Sequence, residues 1–322
     1  MKLFDYKNIR IVPKKCIVNS RKECDTSVEF GGKVFDMPVY PANMKSVVNF
    51  DTCEFFARKN WFYTMHRFDV DMVDFIMGFN DMGLFTSISV GINQDSYDEL
   101  EKIYQEPLTV DYITIDVANA WSEKTHKMID FIRAKFPETF LIVGNVATPE
   151  AVEELTSWGA MACKIGIAPG SVCITYSKTG VGTHGWQASA VQNCVSVSEV
   201  PIIADGGIVE HGDIAKAIAC GATMVMAGSL FAGYDQSAGR IIEIEDWKNG
   251  HAGYTRYKEY YGSASKHNKK EYKNIEGKKI LIPHRGDMNI LLTELKEDLQ
   301  SSISYTGGCI LDDLRWTSLY EV

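Results

Sequence analysis

The chain has 322 residues, 45% of them hydrophobic and 23% charged, and a formal net charge of −9. This is the composition of a folded globular protein, and its acidic balance excludes a nucleic-acid partner held by bulk electrostatics, which would need a basic surface. No apolar run reaches the ~20 residues needed to span a bilayer, and Met1-Lys2-Leu3-Phe4-Asp5-Tyr6 lacks the apolar region of a signal peptide, so a cytoplasmic protein with no membrane partner is expected.

Residues 1–35 read as an irregular lead-in that ends in a hairpin, Val28 to Phe35, around Gly31-Gly32. A rhythm then begins. Short apolar runs occur at Met37–Tyr40, Trp61–Met65, Leu84–Val90, Tyr112–Asp116, Phe140–Val143, Ala160–Ile165, Pro201–Ala204 and Ala222–Met226. Segments of helical periodicity lie between most of them. Thr148-Pro149-Glu150 supplies an N-cap, a proline at the first helical position and an acid in the first turn, and Gly159 closes that helix. A second helix is expected from about Gly212 to Cys220, stopped by Gly221. Strand and helix in alternation mean a parallel sheet. Eight repeats predict an α/β fold of the (β/α)8 TIM-barrel type, whose site is built from loops at the strand carboxyl ends. A doubly wound sheet would be expected to carry G-x-G-x-x-G after an early strand, and none is present.

Polar and glycine residues collect after the runs: Asn43, His66-Arg67, Asp116-Val117-Ala118, Asn145, Asp205-Gly206-Gly207 and Gly228-Ser229. The last two turns follow the seventh and eighth strands, the usual phosphate site of such barrels. Asp205 is suited to accept hydrogen bonds from ribose hydroxyls. After the sixth run comes Gly166-Ile167-Ala168-Pro169-Gly170-Ser171-Val172-Cys173-Ile174-Thr175. Glycine and proline exclude a helix or strand interior there, so Cys173 sits on a loop at a strand end. The other cysteines (16, 24, 53, 163, 194, 220 and 309) show no C-x-x-C pair or zinc spacing and are expected mostly in the core.

From about Gly239 to Lys279 the rhythm breaks into a polar, tyrosine-rich stretch, too long for a plain connection and read as a lid. An amphipathic helix from about Asp287 to Ser302 then reads as the last barrel helix. The organisation expected is one barrel domain over residues 1–322, with the lead-in hairpin at its start and residues 239–282 as a flap after strand eight.

The loop from Gly166 to Thr175, followed by Thr179-Gly180-Val181-Gly182, resembles the catalytic loop of the IMP dehydrogenase/GMP reductase family. Asp205-Gly206-Gly207-Ile208, Ala227-Gly228-Ser229-Leu230-Phe231-Ala232-Gly233 and Tyr261-Gly262-Ser263-Ala264-Ser265 match it in the same order. Gly185-Trp186-Gln187, Glu276-Gly277-Lys278 and the stretch Leu299 to Tyr305 resemble its reductive branch in bacteria. That resemblance implies NADPH-dependent reductive deamination of GMP to IMP and ammonia, through a covalent thioimidate on Cys173. It implies Thr175 and Glu276 as the acid relay. GMP would be held by Asp205, Gly206, Gly207, Gly228, Ser229, Gly262, Ser263, Ala264, Lys273 and Gly277. The cofactor would lie against Asp116, Val117 and Ala118, with Ser20, Arg21 and Arg67 near its tail. A K+ ion would sit on the backbone carbonyls of Ala168, Gly170 and Cys173, and the assembly would be a homotetramer.

Two departures from the family pattern stand out. Ala168 replaces a loop glycine, which keeps the carbonyl but narrows the accessible φ/ψ. Lys273 stands where some members carry arginine, which keeps the charge and loses the bidentate fork. The alternatives are an IMP dehydrogenase without regulatory modules and a non-catalytic nucleotide-binding barrel. The dehydrogenase uses an Arg-Tyr pair after its Tyr-x-Gly motif, whereas Arg256-Tyr257 here precedes Tyr261-Gly262 and reads as part of a hairpin. A non-catalytic barrel would have no use for Cys173 and Glu276 together.

Overall fold

A computed structural model describes residues 3–248, 251–266 and 275–322. In chain order its strands are β1 (Ile9–Ile11), β2 (Val28–Phe30), β3 (Lys33–Phe35), β4 (Val39–Pro41), β5 (Ser87–Val90), β6 (Tyr112–Asp116), β7 (Phe140–Val146), β8 (Ala162–Ile165), β9 (Ile202–Asp205), β10 (Met224–Ala227), β11 (Ile241–Lys248), β12 (His251–Tyr261), β13 (Lys279–Pro283) and β14 (Leu319–Glu321). The helices are α1 (Phe50–Arg58), α2 (Met72–Asp81), α3 (Gln94–Gln105), α4 (Glu123–Lys135), α5 (Pro149–Trp158), α6 (Thr175–Thr179), α7 (Gln187–Val195), α8 (His211–Ala219) and α9 (Met288–Tyr305).

Seven strands form one parallel sheet in the order β4-β10-β9-β8-β7-β6-β5. The first and last strands of the repeat are thus brought side by side, as a TIM-barrel-like sheet requires. Strands β5, β8 and β10 are buried along their whole length, as expected when helices cover one face and side chains fill the other. The predicted second strand, Trp61–Met65, forms no ladder. It joins the sheet through one parallel bridge, Met65 with Ile88, in which Met65 N–H donates to Ser87 O at 2.9 Å. On its other side, rings rather than backbone groups meet β4. Phe62 and Tyr40 lie edge to face at 4.8 Å.

Helix α5 forms as its sequence signals require. Thr148 caps it, Pro149 opens it, and Gly159 ends it at φ +113°. The lead-in hairpin β2–β3 caps the amino-terminal ends of the strands, where Phe30 stacks on Tyr112 and the Tyr112 hydroxyl donates to Phe30 O at 2.7 Å. Phe62 lies at the centre of this aromatic plug, against Phe30, Phe35, Tyr40 and Tyr112. With that end filled, ligands have the carboxyl end. The lead-in is also less irregular than expected, because β1 pairs antiparallel with β14 and joins the two ends of the chain. Five cysteines are buried, but Cys16 and Cys309 are exposed, against expectation, because both lie in these terminal segments outside the barrel.

The stretch after strand eight folds as an antiparallel sheet, β11-β12-β13. Arg256 lies opposite Glu243 within it and bonds that carboxylate at 2.9 Å, so the Arg256-Tyr257 pair is part of a hairpin, as read. Lys258, buried at the root, donates to the carbonyls of Tyr234 (2.7 Å) and Ser237, which anchors the sheet to the barrel.

Two outcomes follow from this packing. Phe62→Ala removes a fully buried ring and is expected to cost about 3–5 kcal/mol of unfolding free energy in urea titrations. His66 is buried, and its Nδ1 accepts the Phe68 N–H at 3.1 Å. Burial, with help from Lys45, lowers its pKa from 6.5 to about 4. A group lowered in this way stabilises above its unfolded pKa and loses that contribution as pH falls through the folded one. Stability should therefore drop by ~3 kcal/mol between the two values. His66→Asn, whose amide oxygen can replace the acceptor, should remove that part of the acid slope; an unchanged slope would refute the assignment.

Candidate functional site

The carboxyl ends of the strands surround a cavity of about 380 Å³, within the range of small-molecule sites. Its lining includes Cys173, Thr175, Glu276, Asp205, Gly206, Gly228, Gly262, Ser263, Ala264 and Gly277, together with Arg67, Asp116, Val117, Ala118, Ala168 and Gly170. Segments from residue 42 to residue 277 thus converge on one space. Gly207 packs instead on Gln187 and Tyr6, and Ser229 offers its carbonyl to Arg285 at 3.2 Å. Neither lines the cavity. Ser20 and Arg21 are also outside it: Ser20 caps a short turn, and Arg21 bonds Ser301 at 3.0 Å and Tyr305 at 3.3 Å on α9. Lys273 falls outside the described residues.

Cys173 is held in place by a zipper between its loop and the late insertion. Cys173 N–H donates to Gly170 O at 3.1 Å, Ile174 N–H to Glu276 O at 2.8 Å, and Lys278 N–H to Val172 O at 2.9 Å. Cys173 and Gly277 form an antiparallel bridge, and Glu276 N–H donates to Ala264 O at 3.0 Å. These bonds carry the Glu276 side chain to the thiol. The Thr175 hydroxyl lies 3.2 Å from Cys173 Sγ and donates to Glu276 Oε2 at 2.6 Å. With that hydroxyl proton committed to the carboxylate, the thiol is the donor in the first contact. The result is a continuous path from sulfur to carboxylate. Ala168 takes φ +60°, in the left-handed region where a glycine would be relaxed. Residue 168 thus holds a left-handed conformation as alanine, with its backbone carbonyl present as it would be with glycine. Among the described residues, no group of three or more His, Cys, Asp or Glu side chains could hold a metal ion.

Beneath the cavity lies a charge the sequence reading passed over. Lys164 stands in the middle of the apolar run that becomes β8, and it is 2% exposed. Its ammonium bonds Asp116 Oδ1 at 2.9 Å, Asp205 Oδ2 at 2.8 Å and Asn145 Oδ1 at 2.5 Å. Asn145 in turn donates to Asp205 Oδ2 at 2.7 Å. Burial on its own would raise the Asp116 carboxyl, but Lys164 outweighs it and holds the group below its ordinary value. Burial pulls Lys164 down, and the two carboxylates outweigh it and hold it above its ordinary value. Gly144 makes room: a Cβ there would stand 2.5 Å from that of Lys164. A lysine inside a buried strand run is the signal that could have found this group.

Tyr260 is a second missed residue. It lines the cavity, is 3% exposed, and bonds Ser171. Its hydroxyl comes within 2.3 Å of where a Cβ on residue 228 would stand, so Gly228 is needed for this approach. Tyr260 stands first in Tyr260-Tyr261-Gly262, a Tyr-x-Gly pattern, and that spacing is the signal that could have found it. Arg67 also lines the cavity, near Asp116, with its Nε buried and unpaired among the described residues. An unpaired guanidinium donor at the rim fits a polar or anionic ligand group.

A model of the IMP dehydrogenase / GMP reductase domain matches residues 4–321. The GMP reductase of Chromobacterium violaceum is 57% identical over 318 residues, covering 99% of this chain and 98% of that protein. The GMP reductase of Staphylococcus carnosus is 52% identical over 316 residues, covering 98% and 95%. That of Acidovorax ebreus is 52% identical over 315 residues, covering 98% and 94%. With its cysteine loop, its cavity and these relatives aligned over nearly the whole length, the chain belongs to the IMP dehydrogenase/GMP reductase family.

Proposed function

We propose that this protein reduces GMP to IMP and ammonia with NADPH, through a covalent thioimidate on Cys173. The observation that carries this reading is the hydrogen-bonded chain Cys173–Thr175–Glu276 at the cavity wall. Relatives named GMP reductase, aligned end to end, support it.

The chain accounts for the proton. The Cys173 thiol passes its proton through Thr175 to Glu276, and sulfur attacks C2 of the guanine. Glu276 then returns that proton through Thr175 to the departing 2-amino group. The C2–N bond breaks, ammonia leaves, and the C2–S bond remains. NADPH, when bound, supplies the hydride that reduces C2 and lets sulfur leave as thiolate. Asp205 accepts from the ribose. Gly206 and Gly228, on the cavity wall, serve the phosphate in turns that Gly207 and Ser229 complete, and Gly262, Ser263, Ala264 and Gly277 close over the base. Asp116, Val117, Ala118 and Arg67 face the cofactor.

The same reading takes residues 1–322 as one (β/α)8 barrel domain with residues 239–282 as its flap. It takes the assembly as a cytoplasmic homotetramer. A K+ ion would sit on the carbonyls of Ala168, Gly170 and Cys173, sharing Gly170 O with the Cys173 N–H that it accepts. A dehydrogenase would instead need a group to activate water after Tyr261-Gly262. Arg256 is engaged with Glu243 in the preceding hairpin.

The test is direct. Purified protein given GMP and NADPH should consume NADPH and release ammonia in equal amounts; oxidation of IMP with NAD instead would overturn the proposal. Cys173→Ala should lower turnover at least ~10³-fold while GMP still binds by calorimetry. Glu276→Gln should lower kcat by about 10²- to 10⁴-fold with little change in GMP affinity. Near-normal kcat in that variant would remove the relay from the mechanism.

A further inference from the structure

The reaction as proposed uses Asp116 for the cofactor and Asp205 for the nucleotide, and both line the cavity. It gives no part to the ammonium between them. We infer that Lys164 is a positioning residue that presents one carboxylate to the nucleotide and the other to the cofactor, and so ties the two binding sites together.

Four neighbouring strands meet at this point. Asp116 ends β6, Asn145 lies in β7, Lys164 in β8, and Asp205 ends β9. Lys164 Nζ takes one oxygen from each carboxylate and the amide oxygen of Asn145. A lysine ammonium has three protons to donate, and all three are used. Asn145 spends its amide N–H groups on Asp205 Oδ2 and on Gly166 O. The network is therefore saturated, and it fixes each carboxylate by a single oxygen. Among the described residues, no donor is paired with Asp205 Oδ1, and Asp205 lines the cavity. Asp116 lines the same cavity near Arg67 and Asn43. Lys164 forms part of the lining too, yet it is almost wholly buried. It touches the ligand space as a floor, and its charge reaches the ligands through the carboxylates.

This arrangement has a consequence for affinity. Without the ammonium, two partly buried carboxylates that each lie within 2.9 Å of it lose their common counter-charge, and like charges so close share a proton rather than both ionise. Among the described residues, no other group facing the pair supplies a compensating charge on the Asp205 side. Arg67 acts on Asp116, whereas Tyr6, Tyr40 and Tyr260 are phenols held neutral by burial. One cation thus serves both carboxylates, and the loss of it should be felt by both ligands.

The inference rests on the GMP and NADPH reading, and the experiment separates the two. Binding of GMP and of NADPH, each alone, is measured by calorimetry on the full chain for wild type, Lys164→Met, Lys164→Arg and the double variant Lys164→Met/Asp116→Asn. Lys164→Met should weaken both ligands by ~10- to 100-fold. Its GMP affinity should recover as pH falls from about 8.5 to about 7, a window above the phosphate ionisation near ~6, because a shared proton then replaces the lost charge. Wild type should be flat across that window. Lys164→Arg should restore part of both affinities, since charge is kept. The double variant removes the repulsion and should bind GMP well again while NADPH stays weak; it also carries the test if Lys164→Met does not fold. Wild-type affinities and a flat pH profile in Lys164→Met, or equal weakness for both ligands in the double variant, would overturn the inference. Failure of the underlying reading would look different: wild type itself would bind neither GMP nor NADPH.

Discussion

The structure depends on one buried cation. Lys164 sits between Asp116 and Asp205, out of water, with its three protons assigned. A charge in that position is tolerable only if it is paired and fully hydrogen-bonded. That requirement reaches outward. It is met by an amide at 145 and by carboxylates at the ends of β6 and β9, while Gly144 lets the backbone of β7 pass close to that of residue 164. Removing one member of such a buried pair costs about 3–5 kcal/mol in comparable cases. The polar floor of the cavity is thus part of the fold as well as part of the site, and its two carboxylates are held in place before any ligand arrives.

The hydrogen-bonded chain Cys173–Thr175–Glu276 is assembled above this floor from two distant pieces of chain. The cysteine loop leaves β8, and the late antiparallel sheet brings Glu276 back to it. Backbone hydrogen bonds join the two, so the carboxylate arrives in register with the hydroxyl of Thr175 and not by chance of side-chain rotation. Lys258, bonded to carbonyls at the root, ties the sheet to the barrel. The opposite end of the barrel is filled by aromatic rings under the lead-in hairpin. One end is built for stability and the other for ligands, the usual division in folds of this type.

Several features were legible in the sequence because they are local. The Thr148-Pro149 start and Gly159 stop of α5 need only their own neighbours, and the Gly31-Gly32 hairpin and the strand-like placing of Arg256-Tyr257 are of the same kind. Other features were not legible. Trp61–Met65 has the composition of a strand, yet ring packing against β4 leaves it with a single bridge. Cys16 and Cys309 look like any other cysteine, and only the course of the terminal segments puts them at the surface. Ala168 departs from the family pattern in sequence, but its left-handed φ is a property of the folded loop.

Sequence alone determined the alternation of strand and helix and the position of Cys173 on a loop at a strand end. These follow from periodicity and from residue types that break regular structure, and both act over a few residues. Tertiary structure decided which of those residues meet. It joined Cys173, Thr175 and Glu276, left Ser20, Arg21, Gly207 and Ser229 out of the cavity lining, and turned Lys164 from an oddity in an apolar run into the floor of the site. The reason is physical: whether a buried charge is a liability or a support depends on partners from other strands, and no local pattern carries that information.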